Sequence, residues 1–261
     1  MSEPRILFLD IESSGMKSFT WGRYDQRVSQ EQVIQESFLF CYAYKWLHEK
    51  HVGIDSMRHH VPLADIHEGD DKSLLINLWN LLDEADIVCG HYLKRFDIPE
   101  INRRFAVHNM PPPSPYKMLC TKEQAKKHFR FSSNRLGDLG IALGLGGKLK
   151  HTGFEVWKGC WEGDEKAFKL MERYNIQDVR LLEQVYKRLL PFMSNHPNLS
   201  SYTEKECCPK CGSEDTEKRG FARTLAGKYQ RYLCKSCGGW HRGRTNVLTK
   251  EERACIVANV A

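Results

Sequence analysis

Two short cysteine signatures constrain this chain more tightly than any other feature. Cys208-Pro209-Lys210-Cys211-Gly212 and Cys234-Lys235-Ser236-Cys237-Gly238 repeat one C-x-x-C-G pattern, with residues 212–233 between the two pairs. Four thiolates at that spacing suit one tetrahedral Zn²⁺ and close its coordination shell, leaving no open position for chemistry. Two disulfides, or four unpaired thiols, are the alternative. A redox pair is disfavoured, because two matched knuckles stand together in a basic segment poor in strand signals. Cys207 is a neighbour able to replace Cys208, but only Cys208 completes C-x-x-C. Cys41, Cys89, Cys120 and Cys160 are scattered singly, as small buried hydrophobes are in a reducing compartment.

Charge singles out the same region. The formal charge is +6, from 39 Lys and Arg against 33 Asp and Glu. Between Lys218 and Arg244 there are eight Lys and Arg and no acid, so the remainder holds 31 basic and 33 acidic residues, a balance of −2. That surplus points to a polyanion met by the C-terminal module. Gly227-Lys228 is expected to turn a hairpin there, with Tyr229, Arg231 and Tyr232 on its second strand. Tyr229 and Trp240 interleave with Arg223, Lys228, Arg231, Arg242 and Arg244, and aromatics among cations can stack on bases while the charges meet phosphates. One or two of these aromatics, Tyr232 above all, equally serve as the module's small core. Thr249 to Val260 reads as a short closing helix.

The first two-thirds of the chain reads as α/β, with strands before helices. Strands are expected at Ile6–Leu9, Phe38–Leu47, His51–Met57, Ile87–Cys89 and Tyr116–Leu119. Helical spacing marks Leu74–Leu82, Ile98–Phe105, Lys122–His128, Arg135–Leu143 and a long run from Asp164 to about Leu190. Residues 13–35, with Phe19, Trp21 and Tyr24, read as a long loop whose aromatics either contact a substrate or pack over the site. Gly144–Gly147 is a loop without the Gly-Lys-Ser/Thr of a phosphate-binding motif. The domain plan is 1–194, a linker at 195–203 around Pro197, and the cysteine module at 204–261. No apolar run reaches 18 residues, so no membrane helix is expected. The N-terminus lacks a signal-peptide layout, and a soluble, cytoplasmic protein is expected.

Five residues in the larger region carry candidate chemistry. Asp10 and Glu12 lie two apart at a strand end, on one face, within reach of one ion; a solvated strand end is the plainer reading. Asp97, after a strand and at a helix start, fits a helix N-cap better than a ligand when taken alone. Tyr174 and Asp178 lie one turn apart on the long helix and share its apolar stripe, where an Asp is costly unless paired or metal-bound; a surface pair is the alternative. His59, His60 and His67 lack a matching partner and read as loop residues.

Taken together, in this order and on these elements, Asp10, Glu12, Asp97, Tyr174 and Asp178 resemble the DEDD exonucleases of the ribonuclease-H-like superfamily. The tyrosine resembles the subclass that includes the proofreading domain of family B DNA polymerases. Thr20-Trp21-Gly22, Asp25-Gln26, Tyr44-Lys45-Trp46, Phe131-Ser132-Ser133-Asn134-Arg135-Leu136 and Gly163-Asp164-Glu165-Lys166 are similar to a group found often in bacteriophages, over roughly residues 5–192. A phage-encoded chain would work in its host's cytoplasm. The cysteine module resembles the zinc ribbons of transposases and other nucleic-acid proteins. Two departures stand out: Tyr92 where relatives commonly have Asn, and Cys120-Thr121 where they have Asp-Thr.

The resemblance implies a ribonuclease-H-like mixed sheet flanked by helices, plus a small zinc ribbon. It implies two Mg²⁺ or Mn²⁺ ions and 3′-to-5′ hydrolysis of phosphodiester bonds. Asp10 would bridge both ions, Glu12 and Asp178 would complete the site of the ion bearing the attacking water, and Asp97 would hold the second. Tyr174 would orient the nucleophile as a neutral donor. DNA, single-stranded or frayed, is favoured over RNA as the partner. An RNA exonuclease and a non-catalytic zinc-ribbon binding protein are the rival readings, and a replication or repair protein partner is left open.

Overall fold

The computed structural model describes residues 3–147 and 153–257. It divides into two compact units, Arg5–Val185 and a second from Tyr186 onward.

The first unit is organised on β1 (Ile6–Ser13). Its sequence, Ile-Leu-Phe-Leu before Asp10, is buried on both faces, as a strand in the middle of a covered sheet must be. A short ribbon of β2 (Lys17–Ser18) and β3 (Val33–Gln35) follows, then β4 (Leu39–Trp46) and β5 (Gly53–Ser56). After α1 (Lys72–Asp83) come β6 (Ile87–Gly90), α2 (Asp97–Val107) and β7 (Lys117–Cys120). Four helices complete the unit: α3 (Thr121–His128), α4 (Leu136–Ala142), α5 (Phe154–Trp161) and α6 (Glu165–Leu189).

The sheet order is β5-β4-β1-β6-β7. β4 runs antiparallel to β1 and to β5, whereas β6 runs parallel to β1 and β7 parallel to β6. The α/β expectation therefore holds, with a mixed sheet. Leu74, Leu75, Leu78 and Leu82 of α1 and Phe168 and Met171 of α6 join the core with Phe38, Phe40 and Leu39. Phe40 meets Phe38 and Phe168 edge-on, with centroids 5.3 and 5.7 Å away. Ion pairs also lie in this packing: Lys45 of β4 donates to Glu183 of α6, and Arg104 of α2 to Asp71, all four nearly buried.

Three elements depart from the sequence expectation. Residues 13–35 are not loop throughout, because β2 and β3 pair at Lys17↔Gln35 and Ser18↔Val33; strands this short leave no period to read. Helix α5 is not evident in the sequence because it is only eight residues long and Gly159 interrupts its pattern. The C-terminal unit is not poor in strands: β8 (Thr216–Thr224), β9 (Gly227–Cys234) and β10 (Trp240–Asn246) form an antiparallel sheet, β10-β9-β8.

The hairpin turn also moves. Thr224 pairs with Gly227, so Leu225-Ala226 makes the turn and Gly227-Lys228 opens β9. Glycine is needed at 227 because the Asn246 amide lies where a Cβ would stand; its Oδ1 accepts from the Lys228 N–H at 3.2 Å. The closing helix α7 spans only Lys250–Ala254, started by a capping box between Thr249 and Glu252. Residues 258–260 of the expected helix lie outside the described residues.

Candidate active site and cysteine centre

Asp10 and Glu12 leave the same face of β1, and Asp178 reaches them from α6. One carboxylate oxygen from each lies within 4.8 Å of the others. Asp178 is buried, while Asp10 and Glu12 are partly exposed. Sequence reasoning missed the residue that holds the group together. Asn175, fully buried on α6, donates from Nδ2 to the Asp10 carboxylate at 2.7 Å and to its backbone oxygen at 3.2 Å. A polar residue one turn before Asp178 on an apolar stripe was the available signal. Behind it, Cys41 Sγ sits 3.9 Å from Asn175 Oδ1. Burial, then the charges of Glu12 and its neighbours, pushes this thiol well up, so it stays neutral.

Asp97 lies outside that trio. It is the first residue of α2, and Phe96, not Asp97, holds the N-cap position. Its side chain turns to β1, where Oδ1 accepts the N–H of Ile11, between Asp10 and Glu12, at 3.4 Å. Burial pushes its pKa up to about 7, against the pull of backbone hydrogen bonds. Tyr174 is half-buried and packs edge-on against Trp157 of α5, with centroids 6.3 Å apart. Trp157, Phe154 and Trp161 line a mostly apolar groove of about 250 Å³ with Met16 and Lys17. Phe19, Trp21 and Tyr24 do not pack over the site; they are 75%, 97% and 82% exposed. Cys120 is buried and pairs with Gly90, and His59 and His60 both turn to Asp55.

In the second unit Cys208, Cys211, Cys234 and Cys237 converge, each sulfur within 4.8 Å of the others. Each knuckle is a tight turn: the Gly212 N–H donates to Cys208 O and the Gly238 N–H to Cys234 O, both at 2.9 Å. Both glycines have φ of 74°, a left-handed backbone that only glycine adopts at no steric cost. The sulfur contacts of Cys211 and Cys237 pull the Cys208 thiol well down, as suits a thiolate ligand. The same contact pushes Cys237 up to about 11. Cys207 is buried and outside the group.

The sheet of this unit separates the expected nucleic-acid residues by face. Arg242 lies 4.0 Å over the Tyr229 ring, and Arg231 lies 4.9 Å from the Trp240 ring. Arg242 pairs with Arg231 across the strands, so these four side chains share one face. Lys228 and Arg223, which pair with each other, take the opposite face, with Lys228 over Phe221 at 4.2 Å. Tyr232 lies flat on His241, with centroids 5.3 Å apart, and both residues stay partly exposed.

Among the described residues, the acidic trio and the four cysteines are the groups of three or more such side chains that converge tightly enough for a metal. Hard carboxylate oxygens suit Mg²⁺ or Mn²⁺, and four thiolates suit Zn²⁺. Each donor set fits its ion.

A mixed sheet of this order, with carboxylates gathered at the end of its central strand, defines a fold class that the family comparison matches. Residues 7–190 match the model of the RNase H superfamily, and the chain belongs to that superfamily. Among solved structures, a family B DNA polymerase from the hyperthermophilic archaeon Pyrobaculum calidifontis is similar, with a TM-score of 0.54 at 15% identity. The match covers 73% of this chain and 25% of the polymerase, and establishes likeness of fold. Comparison with curated proteins finds no match.

Proposed function

We propose that this chain is a metal-dependent 3′-to-5′ exonuclease acting on single-stranded or frayed DNA ends, with a zinc-bound C-terminal module that adds affinity for nucleic acid. The observation that carries the reading is the meeting of Asp10, Glu12 and Asp178, with buried Asp97 turned to the strand between the first two. Superfamily membership supports a nuclease. The polymerase likeness is why DNA is preferred to RNA.

Asp10, Glu12, Asp97 and Asp178 would hold two Mg²⁺ or Mn²⁺ ions. When bound, such ions supply an activated water and relieve charge on the leaving oxygen. The protein's own groups do the positioning. Asn175 fixes the Asp10 carboxylate from behind. The Tyr174 hydroxyl, on a ring packed edge-on against Trp157, would orient the attacking water by hydrogen bonding. The charges of Asp10, Glu12 and Asp178 would repel a phosphodiester if left bare, so the same residues that bind metal make the site unproductive without it. Cys208, Cys211, Cys234 and Cys237 would hold one Zn²⁺ in a structural role.

End-labelled DNA and RNA, each with Mg²⁺ or Mn²⁺ and then with EDTA, test the reading. A ladder shortening from the 3′ end of DNA, abolished by EDTA, is expected. Faster shortening of RNA would transfer the assignment to RNA, and no cleavage of either would end it.

A further inference from the structure

Between Glu165 and Val185, helix α6 carries four Lys and Arg and four acids, a sum of zero along the sequence. Burial sorts them by sign. Glu172, Asp178 and Glu183 are buried, whereas Lys166, Lys169, Arg173 and Arg180 are exposed. Each buried acid is engaged inside the unit. Glu172 accepts two hydrogen bonds from Arg58, at 2.6 and 2.8 Å, Glu183 accepts from Lys45, and Asp178 joins the acidic trio. The exposed acid of this stretch, Glu165, pairs with Lys169 at 2.8 Å. Among the described residues, no acid lies within ion-pair distance of Lys166, Arg173 or Arg180.

These three cations fall in a line. They are seven residues apart, two helical turns, so each stands about 10.5 Å along the axis from the next and drifts only ~20° around it. Lys166, Lys169 and Arg173 line one open depression. A solvated helix face commonly mixes signs through i,i+4 pairs, yet from Lys169 to Gln184 this one shows no acid. None of the exposed residues of α6 is aromatic. The face therefore offers charge to a polyanion and no ring to an unpaired base. It also lies away from the acidic trio: at about 100° per residue, Arg173 and Arg180 stand roughly 140° and 160° around the helix from Asp178.

We propose that this outer face of α6 holds the backbone of double-stranded DNA through Lys166, Arg173 and Arg180. Their step of ~10.5 Å is close to the width of a B-form major groove, about 12 Å, so successive cations meet phosphates on the two backbones that flank it. Contacts of this kind position a duplex without reading its sequence. The inference rests on the nuclease reading for its purpose, since a held duplex keeps a frayed 3′ end near the acidic residues, but its test does not depend on cleavage.

The full chain carrying Lys166→Gln, Arg173→Gln and Arg180→Gln is compared with the unaltered chain for Kd on blunt duplex DNA and on single-stranded DNA, across a salt series and without added Mg²⁺ or Mn²⁺. On the duplex, the slope of log K against log salt should flatten by about 2.7, at ~0.9 per phosphate contact. The single-strand slope and the circular dichroism spectrum should stay as they are. Lys166→Arg, Arg173→Lys and Arg180→Lys together, which keep the charges, should keep the duplex slope. An unchanged duplex slope in the glutamine variant overturns the proposal, even if the protein cleaves 3′ ends. Equal flattening on both DNAs also overturns it, because the face would then not select a duplex. Flattening on the duplex alone, in a protein that cleaves nothing, sustains the face while the nuclease reading fails.

Discussion

The two ligand clusters of this molecule are built on opposite plans. The four cysteines come from two local turns whose glycines and backbone hydrogen bonds already shape each half-site. The acidic trio is assembled across the fold, and Asn175, which steadies Asp10, lies 165 residues from it in sequence. A sheet and its helices hold the trio, whereas the cysteine unit has a three-stranded sheet and little apolar core to hold it. The difference teaches where a metal's binding energy goes. In the cysteine unit it should be folding energy, and in the acidic site it should be catalytic capacity.

The strongest way to break that contrast is Cys211→Ser. Structural zinc contributes on the order of 10 kcal/mol to small modules, so amide protection across β8–β10 should vanish while β1, β4 and β6 keep theirs. Retained protection in β9 would show that the module folds without its ligand set. Next in size, Asp10→Ala should lower cleavage by on the order of 10³-fold or more with the circular dichroism spectrum unchanged. A fully active, folded variant would remove the acidic site from the mechanism.

Asp97 sharpens the comparison through pH. Its folded pKa, raised to about 7, means that the neutral form suits the fold. Its contribution to stability is complete below about pH 4 and is lost as pH rises through 7, on the order of a few kcal/mol. Protein without added Mg²⁺ or Mn²⁺ should therefore melt at lower temperature at pH 8 than at pH 5.5, and Asp97→Asn should flatten that trend; a parallel decline in both proteins would refute it. The smallest effect belongs to a supporting group. Asn175→Ala should weaken Mn²⁺ binding or activity by roughly 10- to 100-fold, measured by metal titration of cleavage, whereas an unaltered titration would reduce Asn175 to packing.

What was legible in the sequence follows the same division. The knuckles could be read because their geometry is written in adjacent residues. The positions of the five sheet strands could be read in outline because Ile6–Leu9, Phe38–Leu47 and Ile87–Cys89 are dense apolar runs, whereas their order in the sheet could not. Asn175 could not, because its partner is remote and its role appears only when α6 crosses β1. In β10, Trp-His-Arg-Gly-Arg-Thr-Asn has no apolar alternation, so pairing to β9 reveals a strand that propensity does not. The turn at Leu225-Ala226 was misplaced because Gly227 serves the close approach of Asn246 rather than the reversal of the chain.

The ion pair between Lys45 and Glu183 bears on how α6 can be trusted to aim its side chains. An apolar helix face laid on an apolar sheet tolerates small rolls about its axis, since one methyl group substitutes well enough for the next. A roll of one residue would swing every side chain by about 100° and carry Asp178 away from β1. A buried charge that must find one partner admits no such substitute, because the misaligned alternative leaves both ions stranded in the interior. Lys45 and Glu183 thus act as an indexing pin, fixing the azimuth of a helix whose greasy contacts alone would leave it free to turn.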